Sequence, residues 1–186
     1  MSIIVGITGA SGSIYGITVL QELKRLHIET HLVLSRWAEK NICLETDYTP
    51  EQVRNLATHN YGDAEMSAAI ASGSFLCRGM VVAPCSMKSL ASIATGLTDN
   101  LIARGADVCI KEGRKLILLP RETPLNSIHL ENMLKLSRLG VIIMPPVPAF
   151  YHKPETIDDI VKQTVGRVMD MLKIENDIVK RWKGLT

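Results

Sequence analysis

The chain has 186 residues, with 21 basic and 19 acidic side chains, a formal net charge of +2, 46% apolar and 22% charged residues. At ~150 residues per domain this is a single domain. The composition excludes intrinsic disorder and a coiled coil, and the absence of any Lys/Arg block excludes a nucleic-acid footprint. No apolar run approaches the ~20 residues of a bilayer crossing. The opening Met1-Ser2-Ile3-Ile4-Val5-Gly6 has no basic n-region and reads as a strand rather than a signal peptide.

In chain order, Ser2–Thr8 is expected to be a buried strand, Gly9–Gly12 its turn, and Ser13–Leu26 a helix with Ile14, Ile17, Leu20, Leu23 and Leu26 on one face. Glu29–Leu34 reads as a second strand, Arg36–Leu44 as a short helix, and Pro50–Thr58 as another, with Pro50 suited to its first position. The stretch Leu44–Gly79 offers no clear strand and is expected to lie over the site or against a neighbouring subunit. Gly79–Ala83 is a third strand, followed by helices Ser86–Thr95 and Asn100–Lys111. Lys115–Leu119 is a fourth strand. Ser127–Leu139 is a helix closed by Lys135, Arg138 and Gly140, and Val141–Met144 is a fifth strand stopped by Pro145-Pro146. Thr156 starts the last helix, with Asp159 as its capping-box partner. Apolar strands alternating with helices predict an α/β fold: a single-domain, doubly wound parallel sheet, Rossmann- or flavodoxin-like, in a three-layer sandwich over residues 1–186.

Such sheets bind ligands beyond the carboxyl ends of their strands. Strand one is followed there by Thr8-Gly9-Ala10-Ser11-Gly12-Ser13, strand two by Ser35-Arg36, and strand three by Pro84-Cys85-Ser86-Met87-Lys88-Ser89. Strand four leads into Pro120-Arg121-Glu122-Thr123 and strand five into Pro145 through Tyr151. Hydroxyls, cations and helix N-termini suit phosphate, and no acid-rich metal set appears. Gly6-x-x-Gly9-x-x-Gly12 is not the dinucleotide fingerprint, and a tight turn without ligand is the plain alternative. Leu34-Ser35-Arg36 lacks the ribose-binding acid of a dinucleotide site, which points to a mononucleotide, with FMN the natural candidate. Arg121-Glu122 reads either as a surface ion pair or as part of the ligand edge. Tyr151, Arg167, Trp182 and Lys111 each have an ordinary structural reading beside the functional one. The cysteines Cys43, Cys77, Cys85 and Cys109 form no C-x-x-C pair and read as reduced, with Cys85 alone placed where a catalytic thiol could be. The five histidines have no partner motif.

Taken together, these strings resemble the flavin prenyltransferase family (UbiX-like), within the homo-oligomeric flavin-containing decarboxylase-like group. The resemblance runs end to end. It rests on Gly9-Ala10-Ser11-Gly12 with Tyr15-Gly16, Leu44-Glu45-Thr46-Asp47, Ser72-Gly73-Ser74, Pro84-Cys85-Ser86-Met87-Lys88-Ser89-Leu90, Asp99-Asn100-Leu101-Ile102-Ala103-Arg104, Lys111-Glu112, Pro120-Arg121-Glu122-Thr123-Pro124 and Pro145 through Tyr151. Trp37 and Gly113 depart from the family's usual residues.

The resemblance implies transfer of a dimethylallyl group from dimethylallyl phosphate to N5 and C6 of reduced FMN, without a metal, giving prenylated FMN for a partner decarboxylase of aromatic or unsaturated acids. It implies FMN binding by Gly9, Ala10, Ser11, Ser35, Ser86, Met87, Lys88, Ser89 and Arg121. Dimethylallyl phosphate falls to Tyr151, Arg167, Lys111 and Trp182, and catalytic roles to Ser11, Glu122, Glu45, Arg104 and Lys111, with Glu45 and Arg104 as an orienting pair. It further implies a homododecamer with shared sites, a cytoplasmic location, no membrane or nucleic-acid partner, and a tail, 175–186, packed near the active site or a neighbouring subunit. The rivals are a flavin-dependent cysteine-type or aromatic acid decarboxylase and a non-enzymatic FMN carrier subunit.

Overall fold

In the computed structural model, which describes residues 2–179, 181, 182 and 184, six parallel strands form one sheet in the order β3-β2-β1-β4-β5-β6. The strands are β1 (Ser2–Ile7), β2 (Thr30–Leu34), β3 (His59–Gly62), β4 (Cys77–Cys85), β5 (Lys115–Pro120) and β6 (Ile142–Ile143). The helices are α1 (Ser13–Arg25), α2 (Arg36–Glu45), α3 (Pro50–Arg54), α4 (Met87–Thr95), α5 (Leu101–Lys111), α6 (Ser127–Arg138) and α7 (Ile157–Met171). The strand order is the dinucleotide-fold order rather than the flavodoxin one, so the direction of winding reverses between β1 and β4.

The continuous apolar strands are buried on both faces because successive side chains alternate sides. Ile3, Val5 and Ile7 of β1, Val81 and Ala83 of β4, and Ile117 and Leu119 of β5 pack under α1 and α7. Ile4, Met80, Val82, Leu116 and Leu118 point the other way, under α4, α5 and α6. Each fully buried Leu or Ile of this kind contributes ~1.5–3 kcal/mol of transfer free energy.

The sequence missed one strand. β3 is an exposed edge strand of sequence His-Asn-Tyr-Gly, with none of the β-branched run that marks a buried one. Its entry is fixed by a reciprocal pair in which the Thr30 amide donates to Thr58 Oγ1 and the Thr58 amide to Thr30 Oγ1, both at 3.1 Å. That lock also explains why α3, expected to run to Thr58, stops at Arg54. Strand four of the sequence, seen here as β5, extends to Pro120, and the last helix begins at the Thr156/Asp159 capping box as expected.

Candidate functional site

The two strands at the switch point are stitched together by Thr8. Its buried hydroxyl donates to the Pro84 carbonyl at 2.8 Å and accepts from the Ser86 amide at 2.8 Å. This fixes Ser86, whose Oγ caps α4 by accepting from the Ser89 amide and also contacts Ser89 Oγ at 3.1 Å. A capped helix start at the carboxyl edge of a parallel sheet is a ready anion site.

The glycine turn is organised differently. Gly12 sits at φ 101°, in the left-handed region. The amides of Gly12 and Ser13, which open α1, both donate to Glu45 Oε2, at 2.8 and 3.2 Å. The N-terminus of α1 is thus satisfied by the chain's own carboxylate, a charge-assisted cap of the kind helix ends favour. The two helix starts therefore differ: that of α1 is engaged by a distant carboxylate, that of α4 by its own Ser86 hydroxyl. Ser11 is exposed beside this turn, its carbonyl accepting from Arg121 Nε at 3.2 Å. Buried Ala10 is held through its carbonyl by Asn41.

Gly9, Ser35, Trp37, Asp63, Ser86, Lys88, Ser89 and Asn100 are among the residues around a cleft of about 480 Å³, within the range of small-ligand sites. A Cβ on Gly9 would stand 2.4 Å from the Trp37 Cβ, so only glycine leaves the turn this close to the cleft wall. Ser35 caps α2 by accepting from the Ala38 amide. Asp63 Oδ1 is buried with no hydrogen-bond partner among the described residues, and burial raises the Asp63 pKa above the ordinary carboxylate value. An unsatisfied acceptor, serine hydroxyls, a lysine and the Ser86-capped helix start together fit a phosphorylated, hydrogen-bonding ligand such as FMN.

A second hollow of about 330 Å³ lies against α7, its lining including Met144, Val147, Tyr151, Gln163 and Arg167. Gln163 Nε2 donates to the Tyr151 hydroxyl at 2.6 Å, and the Trp182 ring meets the Tyr151 ring edge-on at 5.8 Å. Arg167 pairs with Asp170 at 2.8 Å, and Asp170 also binds Arg181. These pairings hold Asp170 below the usual carboxylate range, the Arg181 hydrogen bond being the largest cause. The structure therefore brings Tyr151 and Arg167 into one hollow that shares no lining residue with the cleft, with Trp182 against the Tyr151 ring.

Lys111 belongs to neither. It ends α5 and pairs with Glu112 at 2.5 Å, about one helix length (~16 Å) from the cleft residue Asn100. Arg104 donates to the Ala71 carbonyl and to Asp107, and Glu45 caps α1, so within one chain the two do not form a pair. Glu122 is exposed after β5, one oxygen accepting from the Thr123 amide at 3.0 Å. Met87 is half-buried at the first position of α4. Of the tail 175–186, Lys180, Lys183, Leu185 and Thr186 lie outside the described residues.

Two roles escaped the sequence. The sequence places Thr8 at the ligand edge but does not reveal its bridging hydroxyl, and Asp63 lies in the stretch without periodicity; only the switch-point geometry shows both. Cys85 is fully buried, which pushes its thiol up to about 12 and removes it as a nucleophile. Of the two departures, Gly113 adopts φ 65° just past the end of α5, a stop glycine. Trp37 is largely exposed at the cleft, with Lys40 Nζ 4.4 Å above its ring. Among the described residues no helix is long and apolar enough to cross a membrane.

Residues 1–169 match the Flavoprotein family. A probable UbiX-like flavin prenyltransferase of Bacillus subtilis is 54% identical over 185 residues, covering 100% of this chain and 91% of that protein. The crystal structure of AnUbiX in complex with FMN and dimethylallyl pyrophosphate superposes with a TM-score of 0.98 at 51% identity, covering 100% of this chain and 98% of that one. A dodecameric FMN-dependent UbiX-like decarboxylase from Escherichia coli O157:H7 gives a TM-score of 0.97 at 53% identity, covering 99% and 100%. With its switch-point cleft and this likeness along its whole length, the chain belongs to the Flavoprotein family, among the UbiX-like flavin prenyltransferases.

Proposed function

We propose that this protein joins the dimethylallyl group of dimethylallyl phosphate to N5 and C6 of reduced FMN, releasing phosphate. The prenylated FMN would then pass to a partner decarboxylase of aromatic or unsaturated acids. The observation that carries the reading is the close, full-length likeness to a structure holding FMN and dimethylallyl pyrophosphate, on a chain whose own cleft offers phosphate and hydroxyl partners. Reduced FMN supplies the electron-rich N5 and C6 when bound.

In this reading Gly9, Ala10, Ser11, Ser35, Ser86, Met87, Lys88, Ser89 and Arg121 hold the flavin, with Ser11 at the reacting edge. Breaking an allylic C–O bond gives a cation and a phosphate dianion. Arg167 and Lys111 stabilise the dianion, and the faces of Tyr151 and Trp182 shelter the cation. Glu122 exchanges the proton that the departing phosphate requires. Glu45 and Arg104 act as positioning residues: Glu45 sets the glycine turn, and Arg104 fixes the segment through Ala71.

The separation of Lys111 from the cleft, and of the cleft from the Tyr151–Arg167 hollow, supports sites completed between subunits of a homo-oligomer, as large as a dodecamer. Exposed Ile128, Leu130 and Leu134 along α6, with Leu139 just past its end, support the same assembly. Four unpaired cysteines support a cytoplasmic location, and the edge of Trp182 against Tyr151 supports a tail that closes on the site. The test is to mix anaerobically reduced FMN, dimethylallyl phosphate and the protein, then weigh the flavin. A mass increase equal to the dimethylallyl group less the one hydrogen that leaves with phosphate is expected; unmodified flavin alone rejects the reading.

A further inference from the structure

The amino-terminal edge of the sheet, opposite the cleft, carries a second cluster of chemistry-bearing side chains. Parallel register sets His31 of β2 beside His59 of β3, and their rings stack with centroids 4.6 Å apart. Glu29, just before β2, places Oε1 3.0 Å from His59 Nε2 and 3.6 Å from His31 Nε2. One donor atom from each of the three lies within 4.8 Å of the others. Ligand atoms held at ~2.0–2.1 Å around a tetrahedral ion stand about 3.3 Å apart, a value the two Glu29 spacings bracket.

His31 supplies the independent sign of a ligand. Its side chain is only 5% exposed, and its Nε2 has no hydrogen-bond partner among the described residues. The 3.6 Å approach to Glu29 is too long for a hydrogen bond, so this buried nitrogen is unsatisfied without a guest. The other ring nitrogen, Nδ1, lies 3.0 Å from the Tyr61 hydroxyl. With the proton on Nδ1, donated to Tyr61, the Nε2 lone pair faces Glu29 and His59. A histidine oriented by a partner on its far nitrogen is the usual arrangement at metal centres. Phe75 closes one side, its ring edge-on to His31 at 4.8 Å. A groove of about 470 Å³, lined in part by Lys24, His27 and Asn55, gives solvent a path to Glu29, and Lys24 is engaged there by the Asn55 carbonyl.

We propose that Glu29, His31 and His59 form a binding site for a divalent transition-metal ion of the zinc type, with a fourth position left to water. Two imidazoles and one carboxylate favour zinc, cobalt, nickel or copper over magnesium or calcium, which prefer oxygen ligands. The ion would tie β2 to the edge strand β3 and has no part in the flavin reaction.

The test is a Co²⁺ titration of untagged, metal-stripped protein, read by the ligand-field absorption of the bound ion and by competition with Zn²⁺. One Co²⁺ per chain, displaced by Zn²⁺, is expected. His59→Ala and Glu29→Ala alter exposed side chains, and each is expected to weaken binding at least tenfold while FMN binding stays unchanged, which serves as the check on folding. Tyr61→Phe is expected to weaken metal binding by ~10–100-fold, as loss of an orienting partner does. Absence of saturable ligand-field absorption in the unmodified protein overturns the proposal. So does binding of unchanged affinity in both His59→Ala and Glu29→Ala.

Discussion

Replacing Thr8 with valine removes one hydroxyl from the switch point while keeping the shape of the side chain. Thr8 is 1% exposed, so no water replaces what is lost. The Pro84 carbonyl keeps a bond from the Thr8 amide at 3.3 Å, but the Ser86 amide loses its 2.8 Å acceptor. One hydrogen bond lost contributes ~1 kcal/mol and a buried donor left unpaired ~1–3 kcal/mol more, a total near 3 kcal/mol. For a chain of this size each kcal/mol is ~2–4 °C, so the melting temperature falls by roughly 6–12 °C. Because the same amide fixes the cap of α4, FMN affinity falls with it. Thr8→Ser keeps the hydroxyl and gives up only a methyl, about 0.8 kcal/mol. Thermal unfolding at one fixed protein concentration, with a flavin titration of each variant, makes the comparison. A valine variant that melts within ~2 °C of the unmodified protein, or a serine variant that is the less stable of the two, would refute the reasoning.

Glu122→Gln should leave FMN bound but slow flavin prenylation by ~10²–10⁴-fold, measured as product mass against time under saturating substrates; an unchanged rate removes Glu122 from proton handling. Mixing Lys111→Ala subunits with Glu122→Gln subunits, each inactive alone, should restore part of the activity if sites are completed between copies, whereas a mixture as inactive as its parents places each site within one chain. Asp170→Asn should cost about 1–2 kcal/mol near neutrality by loosening the tail held through Arg181 and Asn176. Since the folded-state pKa of Asp170 is lowered, its contribution is present above the unfolded value and fades as pH falls through the folded one. The variant and parent stability curves, followed by urea unfolding against pH, should therefore converge in acid; a gap independent of pH excludes the ion pairs as its source. Alkylation near pH 8 should modify exposed Cys43 and spare Cys85, whose buried thiol titrates at about 12; labelling of Cys85 in the folded protein contradicts its burial.

The buried architecture was legible because its strands are continuous apolar runs and its helix starts carry explicit caps, as at Ser86, Asn100 and Thr156. β3 was not, since an edge strand needs no apolar pattern and His59-Asn60-Tyr61-Gly62 carries none. The site was legible where chemistry follows directly from a strand end: Gly9, Ser35, Ser86, Lys88 and Ser89 all reach one cleft. It was illegible where function depends on an atom's partner across the fold. Glu45 resembled a companion for Arg104 until its carboxylate was found on the amides of Gly12 and Ser13. His31 and His59 lack a spacing motif because strand register, not sequence separation, makes them neighbours.

The occupancy of the α1 start by Glu45 bears on which cofactors the fold admits. Sheets of this strand order ordinarily lay a pyrophosphate across the first glycine turn, yet here such a group would meet a fixed negative charge instead of free N–H donors. A nucleotide with one phosphate can settle at the neighbouring helix and avoid that repulsion. Exchanging Glu45, which comes from the second crossover, for a neutral side chain should therefore free these two amides for an anion.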